Sequence, residues 1–292
     1  MSNCQISHKI NEAANSKRSE CGFMGKTHAT SAVAASLAML AFLPSITERY
    51  LGTNDIWLVI LSIITVAGAS LLPDLDNTSS TSRNSLGALG AIASEFIRGL
   101  SATIQMATST KRDDPEPNPH RGAAHTIPAA LMTGILVFLG TQIPGSVNIP
   151  YLGVASVGQL FAISTIFIMC HLALSGLVKP LMKKIGDASV FGEIGSFALS
   201  LAIVLLVAHQ APQTDYQWLG VGVAFGCLIH IIGDAFTTSG VPLLFPFTRK
   251  GKRWWMVRFT KIKAGGVTEK FLFVPIFVII SLVSLLKIFG VL

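Results

Sequence analysis

Charge is scarce in this chain. Of its 292 residues only 13% are charged, about half the share that a soluble domain carries. Together with 51% hydrophobic residues and a mean hydropathy of +0.60, that scarcity argues against a large soluble core and for lipid as the solvent. Cysteine is scarce too. Cys4, Cys21, Cys170 and Cys227 show no C-x-x-C spacing, which excludes a disulfide framework and a thiolate zinc site. Cys170 and Cys227 fall inside apolar runs and read as buried free thiols. Residues 1–23 lack an apolar core segment, so they are not a secretory signal peptide. They read as a polar, disordered tail before a single helical domain over 24–292. Met24-Gly25-Lys26 looks like a second start, and Ala29 stands where a myristoylation signal needs Ser or Thr.

What is present is a series of apolar runs. A spanning helix needs about 20 mostly apolar residues, and such runs lie near 29–47, 56–72, 124–141, 151–174, 190–209, 217–236 and 271–289. The spacing predicts an all-α polytopic membrane protein with about seven transmembrane helices. Residues 86–107 are apolar but interrupted by Glu95 and Arg98, with Ile92, Phe96 and Ile97 near one face. They predict an interfacial or partly inserted helix. The segment 111–119 holds three prolines among mixed charges and reads as a loop.

The net charge of +7 would suggest nucleic-acid binding in a soluble protein. Here its distribution explains it. Of the 22 basic residues, 20 fall in the tail and in the loops after the second, fourth and sixth runs. That asymmetry predicts a multi-pass protein of the bacterial inner membrane with a cytoplasmic N-terminus. The segment 249–263 mixes Arg249, Lys250, Lys252, Arg253, Arg258, Lys261 and Lys263 with Trp254 and Trp255. This is the composition of an interfacial belt facing anionic lipid, in preference to a nucleic-acid site.

Histidines and carboxylates gather on the same predicted face. His28 starts the first run, His120 and His125 bracket the start of the third, and His171 and His230 lie toward the ends of the fourth and sixth. Asp74 and Asp76 close the second run, Asp234 closes the sixth and Glu269 opens the seventh. His230 and Asp234 stand four residues apart, which places them on one side of a helix. Oxygen and imidazole donors without thiolates suit zinc, manganese or another divalent ion, and ionisable groups at membrane depth are costly unless paired or used. The expected ligands are His28, Asp74, His125, His230 and Asp234. Asp76 and His120 would complete a second metal position or orient ligands. Arg121 suits an anionic phosphate or a juxtamembrane anchor. Glu269 suits a general base or a charge complementing a helix N-terminus.

These pieces resemble the YdjM-type, LexA-regulated family of membrane-bound metal-dependent hydrolases. The matching blocks are residues 24–29 (Met-Gly-Lys-Thr-His-Ala), Leu72-Pro73-Asp74-Leu75-Asp76, His120-Arg121-Gly122 with His125-Thr126, and His230-x-x-x-Asp234 running into residues 237–247. The resemblance covers roughly 24–290. Asn77 departs from it, standing where a histidine often follows. The order Asp, His, His-x-x-x-Asp is also similar to the ligand order of zinc-dependent phospholipase C enzymes. The resemblance implies a hydrolase; the expected reaction is cleavage, at the cytoplasmic face, of a phosphoester or ester of a lipid, with membrane lipids, anionic or lipid-like, as partners. The alternatives are a transporter and a non-catalytic membrane protein that binds metal or anionic lipid.

Overall fold

The computed structural model describes residues 25–45, 56–113, 120–149, 153–177, 189–210, 216–263 and 266–291. The expected tail, 1–23, and the basic residues Lys179, Lys183 and Lys184 lie outside them. Helix occupies each apolar run: α1 (Gly25–Phe42), α2 (Ile56–Ala69), then a short polar turn of helix, α3 (Thr81–Ser85), and the amphipathic α4 (Gly87–Thr108). There follow α5 (Ile127–Thr141), α6 (Val157–Leu177), α7 (Ser189–Gln210), α8 (Trp218–Ala235) and α9 (Val274–Ile288). The amphipathic helix expected at 86–107 is α4.

Among the described residues, four stretches are long and apolar enough to cross a membrane: Trp57–Asp76, Val157–Leu177, Trp218–Ala235 and Glu269–Ile288. About seven were expected; of the other three runs, the described parts of α5 and α7 are shorter apolar helices, and α1 is less apolar. Helix α1 stops at Phe42, just ahead of Pro44, because the residue before a proline is pushed out of helical geometry. Its Ala, Ser and Thr content also dilutes its hydropathy. Helix α5 has 15 residues and rises only about 22 Å. The fourth run was expected to begin at 151. Its helix begins at Val157, because Ser146–Ile149 and Gly153–Ser156 pair as a short antiparallel hairpin, with Gly153 at φ 87°.

Helix α8 sits centrally, packed on α5, α2 and α1, while α6 packs on α2, α7 and α5. Small residues set these distances. A Cβ added to Gly134 of α5 would lie 2.5 Å from the Gly220 carbonyl of α8, and one added to Gly220 would lie 2.7 Å from the Gly134 carbonyl. Such mutual glycine contacts are how helices associate where lipid removes the hydrophobic drive between them. Helix α9 packs on α1 and is otherwise turned outward. Only 6% of its apolar window is buried, against 61% for the stretches containing α2 and α8.

Candidate metal centre

Four pieces of chain end at one place. The first turn of α1 carries His28. Beyond α2, a 3-10 turn over Pro73–Asp76 begins with proline, and its end is closed by the Asn77 amide donating to the Asp74 carbonyl. A second 3-10 turn over Ala123–His125 precedes α5, where Thr126 caps the helix by accepting the Ala129 amide. The last turn of α8 carries His230 and Asp234. Neither short turn has a helical or strand period, and each uses backbone bonds to aim a side chain inward.

The donors meet closely. His230 Nε2 lies 3.2 Å from His125 Nε2, and Asp234 Oδ2 lies 3.6 Å from each. Donors bound tetrahedrally at zinc-like distances are about 3.3 Å apart, so this triangle has the size of one face of a coordination tetrahedron. The tautomer of His230 is fixed, because its Nδ1 lies 2.7 Å from the Ser70 carbonyl. A carbonyl only accepts, so Nδ1 carries a proton and Nε2 is the nitrogen turned toward the cluster. His125 has the same layout, with Nδ1 3.3 Å from Asp76 Oδ2 and Nε2 facing inward. A carboxylate or carbonyl behind an imidazole is the usual support for a metal-binding histidine.

Around this triangle stand further donors. Asp74 Oδ1 is 3.7 Å from His230 Nε2. His28 Nε2 is 3.4 Å from Asp234 Oδ1, and its ring stacks on His230 with centroids 3.8 Å apart. His120 Nδ1 is 2.7 Å from Asp76 Oδ1. Among the described residues, three overlapping sets thus have the spacing to hold a metal ion: His28, His230 and Asp234; Asp74, His125 and His230; and Asp76, His120 and His125. Burial is nearly complete, with His125 and His230 at 0% exposure and His28 and Asp234 at 1%. Carboxylates buried this way need a compensating charge. His120 sits at the edge, 19% exposed. Burial works to lower its pKa, but the bond to Asp76 and the charges of Asp76, Asp74 and Asp234 outweigh it and raise it.

Arg121 is the compensating cation that the chain itself supplies. Its Nη2 lies 2.9 Å from Asp234 Oδ1, and Nη1 donates to Thr237 Oγ1 at 2.8 Å and to the Gly240 carbonyl at 3.1 Å. The guanidinium is therefore engaged inside the protein. This is a different environment from the two expected for it, a phosphate contact or a membrane-surface anchor. Its backbone is left-handed at φ 65°, and its amide faces Asp76 Oδ2 at 3.3 Å. Two adjacent residues, His120 and Arg121, thus serve opposite sides of the cluster.

A family model, the YdjM inner membrane protein family, matches residues 23–178 and 194–289. The chain belongs to this family. No curated protein and no solved structure matches it. The two matched segments contain every residue of the cluster and leave out residues 1–22 of the tail, so in this YdjM-family chain the shared sequence and the buried donors coincide. The family's name and the apolar helices together make the chain a membrane protein.

The remaining expectations sort by place. Glu269 is buried at the start of the last helix and accepts the Thr27 hydroxyl at 2.5 Å, one residue from His28. Among the described residues it joins none of the three sets. His171 sits in another environment, its Nε2 3.0 Å from the Ser85 carbonyl and its ring against Phe167 and Phe197. Asn77 accepts from the Ser79 amide and hydroxyl, so it closes a turn. The Ser70 carbonyl, Thr237 and the Gly240 carbonyl were not foreseen. Backbone acceptors carry no signal in a sequence, although Thr237 and Gly240 stand within the block that resembles the family.

Proposed function

We propose that this chain is a multi-pass, metal-dependent hydrolase, with its N-terminus and its site at the cytoplasmic face, cleaving a phosphoester or ester of a membrane lipid. The observation that carries the reading is the triangle of His125 Nε2, His230 Nε2 and Asp234 Oδ2, with His230 oriented by the Ser70 carbonyl. Two imidazole lone pairs facing each other at 3.2 Å repel unless a proton or a cation lies between them. The donor set of nitrogen and carboxylate oxygen favours zinc or manganese.

His125, His230, Asp234, Asp74 and His28 would hold the ion, and Asp76 with His120 lies where a second position would form. A bound divalent ion lowers the pKa of a water toward neutrality and polarises the scissile group. The other steps fall to the chain's own residues. Asp76 orients His125 through Nδ1. His120, at the exposed edge and bonded to Asp76, is placed to exchange a proton with solvent. Arg121 braces Asp234 and is a positioning residue. Glu269, bonded to Thr27, fixes the start of α1 beside His28, and serves as base only if Thr27 releases it.

The test is elemental analysis of detergent-purified protein followed by hydrolysis assays over a phospholipid panel. Near-stoichiometric zinc or manganese with turnover of one lipid class is expected. Metal-free protein of native stability would leave the cluster a hydrogen-bonded core and the chain a scaffold.

A further inference from the structure

Helix α4 (Gly87–Thr108) is amphipathic in the sense opposite to a soluble protein's surface helix. Leu89, Ile92, Phe96 and Leu100 share one side of the helix by their spacing, and they are 75, 69, 69 and 50% exposed. The opposite side, Gly90, Ser94, Ser101 and Gln105, is small and polar, and it is buried. That inner side packs on both 3-10 turns of the metal centre, where Ser101 Oγ accepts the Ala123 amide at 2.7 Å. Large apolar residues outward and small polar residues inward suit a helix solvated by acyl chains. The flanking Glu95–Arg98 pair, 3.3 Å apart and partly exposed, makes a crossing of the bilayer costly and favours a position in its plane.

The C-terminal end of α4 is clasped to a cationic turn. Arg253 Nη1 donates to the Thr108 carbonyl at 2.8 Å, Thr110 Oγ1 to the Gly251 carbonyl at 2.6 Å, and Arg112 Nη1 to the Lys250 carbonyl at 3.0 Å. These bonds gather Lys111, Arg112, Arg249, Lys250 and Lys252, all exposed. Phe247 beside them is 71% exposed. Cations and a protruding aromatic at the end of an outward-facing apolar helix are complementary to one surface in particular, an anionic leaflet.

We infer that α4 lies in the plane of the leaflet next to the metal centre, with Leu89, Ile92, Phe96 and Leu100 among acyl chains, and that the turn clasped to its end seats on anionic phospholipid headgroups. This goes beyond the proposed hydrolysis and does not rest on it. The leaflet then reaches the outer side of the helix whose inner side carries both ligand-bearing turns.

The test uses full-length protein in nanodiscs, with the four native cysteines replaced by serine. Nitroxide labels are placed at Leu89→Cys, Ile92→Cys, Phe96→Cys and Leu100→Cys, with Asn84→Cys as an aqueous reference. Oxygen should relax the four labels far more than a nickel chelate does, with Asn84→Cys reversed. Water-like values at the four sites would overturn the placement. A sharp short distance between Phe96→Cys labels on two copies would also overturn it, since a second copy would then cover the face. For the turn, native mass spectrometry from mixed phosphatidylglycerol and phosphatidylethanolamine discs should show preferential retention of the anionic lipid. The triple variant Arg249→Gln, Lys250→Gln, Lys252→Gln should lose that preference by roughly tenfold or more. A wild type without the preference, or a triple variant that keeps it, overturns the headgroup assignment.

Discussion

Arg121 combines a left-handed backbone at φ 65° with a guanidinium that ties Asp234 to Thr237 and Gly240. Removing one partner of a buried ion pair costs about 3–5 kcal/mol. Arg121→Ala should therefore lower the thermal midpoint sharply in detergent. Arg121→Lys should not restore it, because an ammonium cannot span the same three acceptors as a planar fork. Differential scanning fluorimetry of the two variants reads this directly, and recovery by lysine would sink the bracing role. Asp234→Asn tests the neighbouring atom. Asparagine keeps the shape but loses the anionic oxygen that a divalent ion needs, so metal content should fall while membrane insertion persists. Unchanged metal by elemental analysis would remove Asp234 from the site. At this scale the sequence is legible wherever chemistry shows in residue type, as with His230 and Asp234 one helical turn apart. It is silent on the Ser70 carbonyl that sets the His230 tautomer, because any residue presents a carbonyl.

At the scale of elements, the site depends on how closely α5 approaches α8, since one follows the His125 turn and the other carries His230. Gly134 and Gly220 set that approach. Gly134→Val should push the helices apart, cost about 1–3 kcal/mol through overpacking, and reduce bound metal although no ligand has changed. Gly195 of α7 is the control, because a Cβ there meets nothing within 4 Å. Gly195→Ala should be neutral or stabilise by about 0.5–1 kcal/mol. Equal metal loss in both variants would refute the packing argument. The clasp between α4 and the basic turn has its own signature. Asp113 accepts the amides of Thr110, Arg253 and Trp254. Slight burial works to raise its pKa, and these bonds outweigh it and hold the group below the usual range. A depressed folded value means that the clasp is at full strength above the ordinary carboxylate range and is lost only as pH falls through the folded value. Trp254 fluorescence, with the other tryptophans replaced by Phe, should stay constant from neutral pH down to about 4 and change below it. Asp113→Ala should show the released signal at pH 7. The apolar runs and the outward face of α4 were readable because they are periodic. The 3-10 form of the two short turns was not, since three or four residues are too short to carry a period.

For the whole molecule, the question is what holds several separate helix ends together around groups that resist burial. Apolar packing supports α2, α6 and α8 along their length, but at the site end it meets Asp74, Asp76 and Asp234, of which the Arg121 guanidinium is bonded to Asp234. An ion that binds only the folded arrangement stabilises it by mass action, by about 2.7 kcal/mol when its free concentration is a hundred times its dissociation constant. Were the proposed ion bound, stripping it would remove this stabilisation and leave neighbouring carboxylates uncompensated. The sequence already showed that these groups come from distant segments and share one end. It could not show that Asp76 stands behind His125 and His120 while Asp234 faces His125, His230 and His28, because that depends on how the helices rotate against each other. The rotation makes a specific expectation. A chelator should lower the thermal midpoint of the wild type, and zinc or manganese added back should restore it. Asp234→Asn should start low and respond to neither. His171→Phe, altering a buried histidine outside the cluster, should respond to chelator as the wild type does, whatever its own stability. Calorimetry of the three proteins with and without chelator decides the matter. A wild type indifferent to chelation, or an Asp234→Asn variant as responsive as the wild type, would show that the ends are joined by hydrogen bonds alone.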